Sequence, residues 1–175
     1  MPMYEFEGKR PQIGVNCCIH PEAVLIGDIK IGDDCYIAAC AVLRGDFGPI
    51  IIGDGSNIQE NCVIHVQPGK SAVLGDRSHI GHGAILHSPR LGHHVTIGIG
   101  AIVLDDCEIG DESLIGAGSV VTSGTKIPAK SMVLGTPGKV VREITTQSIQ
   151  FLNISTDVYQ ELNRRSITGL KLISE

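Results

Sequence analysis

The chain has 175 residues, enough for one domain with a sizeable core, and 42% of them are hydrophobic with three Phe, three Tyr and no Trp. That composition describes an aliphatic interior in a narrow prism and excludes an aromatic-filled globule. A formal charge of −5 without a Lys/Arg stripe excludes the basic footprint that nucleic-acid binding needs, and no stretch reaches the roughly 18 apolar residues of a membrane span.

The N-terminal Met1–Arg10 segment lacks the apolar run of a signal peptide, so a cytoplasmic protein is expected. From Ile13 onward an aliphatic residue returns almost every six positions. Three hexads make one triangular coil. Ile13, Ile31, Ile52, Leu74, Leu91, Ile109 and Ile127 then begin hexads on a first face, and Ile19, Ile37, Ile58, Ile80, Ile97, Ile115 and Val133 on a second. Leu25, Leu43, Ile64, Leu86, Val103 and Val121 begin those on a third. A repeat this short cannot bury its own apolar residue and must stack on its neighbours, which predicts an all-β solenoid, a parallel β-helix, over residues 1–138. Only the third face is interrupted. The stretches from Leu43 and Ile64 are lengthened, and that from Leu86 is one residue short. Irregular backbone gathered on one edge points to a site there.

Of the six cysteines, Cys17, Cys35, Cys62 and Cys107 occupy the fifth hexad position, where Ala and Ser otherwise stand, so they read as small packing residues in a reducing compartment. After Thr136-Pro137-Gly138 the period changes. Ile149, Leu152, Val158, Leu162 and Ile167 recur at helical intervals, with Ser155 or Thr156 as the expected N-cap. Residues 139–175 are therefore expected to be helical and to lie against the prism of this chain or of a neighbour.

Seven histidines invite a metal reading, and the register decides which of them can cooperate. His65 and His87 are each the second residue of a third-face hexad, one coil apart, hence about 4.8 Å apart as parallel strands. Two imidazole nitrogens at that spacing can share a metal at about 2.0–2.1 Å each. His82 is the third residue of a second-face hexad and does not converge with them inside one prism. Packing around a threefold axis brings the third face of one copy against the second face of the next and completes a three-histidine site open to water. Arg44 aligns below His65, and Gln59 and Glu60 precede His82 by one coil, which weighs against scattered surface histidines. His20, His79, His93 and His94 lack such alignment and read as surface or hydrogen-bonded residues.

Leu43-Arg-Gly-Asp-Phe-Gly, Ile52-Gly-Asp-Gly-Ser-Asn-Ile-Gln-Glu-Asn-Cys-Val-Ile-His and Ile80-Gly-His-Gly-Ala-Ile-Leu-His resemble the γ-class carbonic anhydrase family of left-handed β-helix trimers, in particular the branch of the phenylacetic-acid degradation protein PaaY and the carnitine operon protein CaiE. The resemblance implies a left-handed coil, whereas the general rule for parallel crossovers favours the right hand. It implies a homotrimer in which His65, His82 and His87 hold Zn²⁺, or Fe²⁺ or Co²⁺ in its place. It further implies an intersubunit Arg44–Asp46 ion pair, Gln59 and Glu60 beside the metal's water, Asn57 supporting them, and Tyr159 at the cleft mouth. Phe47 and the Val66-Gln-Pro-Gly-Lys loop stand where well-known active members carry acidic groups associated with proton transfer.

Two enzymatic readings follow. One is reversible CO₂ hydration by metal-activated water, with Gln59 orienting it and Glu60 relaying protons. The other is hydrolysis of an acyl-CoA thioester by the same means. A hexapeptide acyltransferase, with a histidine base and no metal, and a trimeric scaffold whose metal only clamps the subunits are the competing classes.

Overall fold

A computed structural model describes residues 2–173. The chain winds into a left-handed parallel β-solenoid of about seven coils followed by a single helix. Every aliphatic hexad start is buried except Ile13 and Ile19, which lie at the open first coil. Most fifth-position residues are buried with them. Cys35, Cys62 and Cys107 share full burial with Ala23, Ala41, Ser56 and Ala84, and all the cysteines are free thiols. A triangular section favours small residues there.

The corners follow from backbone chemistry. At most corners the fourth hexad residue turns in the left-handed region, and Asn16, Asp34, Asn61 and Asp106 do so at φ between +56° and +60°, a conformation that Asn and Asp tolerate better than most residues. The recurrent Gly-Asp pair builds a ladder up one corner. Asp33 Oδ1 accepts from Val15 N–H and Asp54 Oδ1 from Asp33 N–H, both at 2.8 Å, and Asp76 Oδ1 accepts from Asp54 N–H at 3.1 Å.

Second-face strands pair in unbroken register from Cys18–Ile19 to Ser131–Leu134 and form an eight-stranded sheet with a last antiparallel strand, Lys139–Glu143. The first and third faces join in a twelve-stranded sheet because the long strands Val24–Ile31 and Val42–Ile52 run round the corner between them. Their register slips between Gly27 and Ile29. Gly27 sits there at φ +80°, and a Cβ would lie 2.5 Å from the Gly45 carbonyl oxygen, so the slip that presents Arg44-Gly45-Asp46 needs glycine.

The helix corrects two expectations. It runs unbroken over Thr146–Gly169, with Thr145 as N-cap accepting from Ser148 N–H. Ser155 and Thr156 lie inside it because their hydroxyls donate to the carbonyls four residues back, at Phe151 and Leu152, which satisfies them without a helix start. Nor does an apolar stripe dock it: Val158 is 61% exposed and Ile167 is exposed too, while Thr156, Gln160 and Asn163 are buried. Asn163 accepts from Cys18 N–H and donates to Asn16 O, both at 2.8 Å. Gln160 donates to Gly55 O at 2.7 Å and Asp34 O at 3.0 Å. The corners expose unpaired backbone groups, and long amide side chains meet that need better than leucines. Tyr159 and Leu162 add a small apolar contact with Cys18, Tyr36 and Ala38. The helix therefore lies on the second face of its own chain, and no helix among the described residues is long and apolar enough to cross a membrane.

Candidate metal centre

Arg44, His65 and His87 occupy equivalent register positions on three adjacent strands. Their predecessors Leu43, Ile64 and Leu86 are fully buried, so alternation turns the three polar side chains outward in one column. His65 Nδ1 lies 3.0 Å from His87 Nε2, with ring centroids 5.0 Å apart. The outer nitrogens are both taken by carboxylates: His65 Nε2 is 3.1 Å from Asp46 Oδ1 and His87 Nδ1 is 2.6 Å from Asp105 Oδ1. A carboxylate only accepts, so a neutral imidazole in this setting places its proton on the outer nitrogen and leaves the inner one bare.

Two lone pairs facing each other at 3.0 Å repel unless a proton or a metal cation stands between them. Two nitrogen ligands at about 2.0–2.1 Å from a tetrahedral ion stand about 3.3–3.4 Å apart, so a small outward lean accommodates one. Burial lowers the His65 pKa; Asp46 opposes that shift and Arg44 adds to it. Burial also pushes Asp46 upward, but hydrogen bonds from Arg44 and His65 outweigh it and hold the carboxyl below its ordinary range. The same balance holds Asp105 low through His87 and Ser88.

The second half-site lies on the other sheet. His82 sits in the turn after the strand His79–Ile80. Its Nδ1 is 2.6 Å from Glu60 Oε2, its backbone N–H donates to Gln59 Oε1 at 3.2 Å, and its Nε2 faces Tyr159 Oη at 3.5 Å. Gln59 is buried and fixed, its Nε2 donating to Asn57 Oδ1 at 3.0 Å and to His79 Nε2 at 2.9 Å. Burial, with His82 nearby, pushes the His79 pKa down to about 4, so His79 is neutral and can accept at one ring nitrogen. Tyr159 meets the His79 ring edge-on at 5.3 Å. Gln59, His79, His82 and Tyr159 line a groove of about 390 Å³ together with the apolar Ile99 and Val158. Among the described residues of one chain, no three His, Cys, Asp or Glu side chains converge as a metal-ligand set.

Family models described as bacterial transferase hexapeptide (six repeats) and hexapeptide repeat of succinyl-transferase match residues 10–45 with 88–123 and residues 49–88, respectively. Over 170 residues the chain is 41% identical to the carnitine operon protein CaiE of Proteus sp. (strain LE138), covering 97% of this chain and 86% of that protein. The chain belongs to the CaiE family of hexapeptide-repeat proteins. Two solved structures share the fold over most of the chain. The BC4754 gene product of Bacillus cereus, assigned as an acetyltransferase, is 36% identical with TM-score 0.91 over 93% of this chain and 94% of its own. A hexapeptide transferase family protein from Anaplasma phagocytophilum is 34% identical with TM-score 0.89 over 93% and 96%.

In the structure His65 and His87 stand together, His82 stands apart with Gln59, Glu60, Asn57 and Tyr159, and Arg44 closes on Asp46 within its own chain at 2.5 Å, where the resemblance implies an intersubunit pair. Glu60 is spent on His82 Nδ1. Two residues escaped the sequence reading. His79 was grouped with surface or hydrogen-bonded histidines, yet it pairs in register with Asn57, and the stacking argument applied to His65 and His87 would have placed it. Asp105, the carboxylate on His87, sits at a corner one coil further on and shares no register position with it.

Proposed function

We propose that this CaiE-family protein is a metal-dependent hydratase of the γ-class carbonic anhydrase kind, working as a homotrimer with His65 and His87 of one copy and His82 of the next as ligands to Zn²⁺, or to Fe²⁺ or Co²⁺. The observation that carries this reading is the pair of imidazole nitrogens 3.0 Å apart, each ring anchored by a carboxylate on its other nitrogen. Metal-ligating histidines are commonly oriented by such partners. When bound, the cation lowers the pKa of a coordinated water toward neutrality.

The chain's own residues do the rest. Asp46, Asp105 and Glu60 hold the imidazole protons at His65 Nε2, His87 Nδ1 and His82 Nδ1. Gln59, locked by Asn57 and His79, holds the His82 backbone through its carbonyl. Glu60, 41% exposed at its side chain, has a second oxygen with which to exchange protons with solvent.

Hydrolysis of an acyl-CoA thioester at the same centre is the second reading, and specific features favour it. Phe47 is exposed beside His65, with ring centroids 5.7 Å apart, and the groove at His82 has an apolar wall. These surfaces suit an acyl group better than CO₂. Metal content, stopped-flow CO₂ hydration and a panel of acyl-CoA thioesters, each with and without an acceptor amine, test both readings. One metal per chain is expected, with activity lost in His65→Ala and His82→Ala. Parent protein that takes up no metal, or variants that keep both metal and activity, would overturn the proposal; acyl transfer to the amine by metal-free protein would assign the chain to the acyltransferases.

A further inference from the structure

We infer that Asp105 is a positioning residue for His87, one that holds the imidazole proton on Nδ1 and thereby keeps Nε2 open to a cation. The inference rests on the metal reading above. Asp105 Oδ1 lies 2.6 Å from His87 Nδ1, the shortest of the three carboxylate–imidazole contacts at the candidate ligands together with that of Glu60 on His82. Its neighbour Asp106 pairs with Lys70, and among the described residues the salt bridge of Asp105 is the one to His87.

The alternative tautomer shows what Asp105 prevents. With its proton on Nε2, His87 would donate straight into the bare Nδ1 of His65, 3.0 Å away. That Nε2–H···Nδ1 bond satisfies both rings and closes the pair to any metal. Nothing on the His65 side opposes it, because the Asp46 contact at His65 Nε2 leaves Nδ1 an acceptor in either case. The choice between an open and a self-locked pair therefore falls to the partner of His87 Nδ1, and that partner is Asp105. The hydrogen bond made by one ring nitrogen decides the state of the other.

The test compares the parent with Asp105→Ala, with near-isosteric Asp105→Leu in case the alanine variant misfolds, and with Asp105→Asn, whose side-chain oxygen can still accept from Nδ1–H. Two readouts are taken on full-length protein: competition between Zn²⁺ and a chelator, and the ¹⁵N NMR tautomer of His87 in metal-free protein. Removal of the acceptor should weaken Zn²⁺ binding about 10–100-fold and move the His87 proton from Nδ1 to Nε2, with Asn recovering part of both and the thermal midpoint unchanged. Zn²⁺ affinity equal to the parent in Ala or Leu, where His87→Ala abolishes it, would overturn the role of Asp105 and leave the metal reading standing. An unchanged tautomer in metal-free Ala or Leu protein would overturn it as well. Parent protein that binds no Zn²⁺ would overturn the metal reading and this inference with it.

Discussion

Mixing two inactive variants is the strongest test of where the third ligand comes from. His65 and His87 project from the sheet that joins the first and third faces, whereas His82 turns toward the helix on the second, with Nε2 3.5 Å from Tyr159 Oη. If a site needs His65 and His87 from one copy and His82 from the next, homotrimers of His65→Ala or His82→Ala each carry only broken sites. Random reassembly of equal amounts changes that. A site is intact only when the copy supplying His65 and His87 is the His82→Ala chain and the next copy is the His65→Ala chain. Each condition holds half the time, so about one quarter of sites should bind metal in a closed cyclic trimer. His65→Ala mixed with His87→Ala should recover none, because both lesions fall on the same half-site. The assay is metal content after co-refolding, with mass-labelled subunits to prove exchange. Equal recovery in the two mixtures, or no recovery in the first despite proven exchange, would refute the shared site.

Three further expectations follow from the structure. Asn163→Ala removes the amide that donates to the Asn16 carbonyl and shares the Cys18 N–H, both at 2.8 Å, but that N–H keeps its bond to the Cys35 carbonyl at 3.0 Å, so the expected cost is about 1 kcal/mol; hydrogen exchange should show the last helical turns opening, and unchanged protection there would show that the apolar contacts carry the docking. His79, with its pKa lowered to about 4 from an ordinary value of about 6.5, stays neutral in the folded chain while the unfolded chain takes up a proton. The unfolded state therefore binds more protons between those values, and stability falls as pH drops through that window by up to about 3 kcal/mol. His79→Gln should flatten that part of the denaturation curve, and parallel curves for variant and parent would sink the assignment. Exposed Cys40 should react first with an aromatic disulfide reagent, while buried Cys62, whose thiol burial pushes up to about 11, should react only on unfolding; early modification of Cys62, mapped by mass spectrometry, would contradict the packing.

The hexad pattern made most of the fold legible because one physical requirement, burial of a single aliphatic residue per strand, repeats at a fixed interval. It also carried the stacking of Arg44, His65 and His87, since neighbouring coils align equivalent positions. What it could not carry are contacts that step between positions. Asp105 is a third-position corner residue that reaches back to a second-position histidine, whereas the residue that continues the His87 column is Leu104. A column argument therefore finds a leucine and misses the carboxylate. The helix failed for a related reason. Helical periodicity looks for apolar residues facing a core, but this helix packs on corners rich in unpaired backbone groups, and its buried residues are the amides Gln160 and Asn163.

On the proposed reading, that division between column and corner also sets how metal binding depends on assembly. Column contacts give one chain two bare nitrogens already at bridging distance, and corner contacts fix their protons, so the cost of orienting these ligands is met by folding alone. The third nitrogen, His82 Nε2, belongs to a different face and is supplied by association. A chain by itself then offers a two-nitrogen site, which leaves most of the coordination sphere to water, and the full three-nitrogen set appears only with a neighbour. Binding that requires the assembled form stabilises that form by mass action. Zn²⁺ should therefore raise the thermal midpoint of the trimer and slow subunit exchange in the parent but do neither in His82→Ala. Equal slowing of exchange by Zn²⁺ in both proteins would show that the metal is held within one chain.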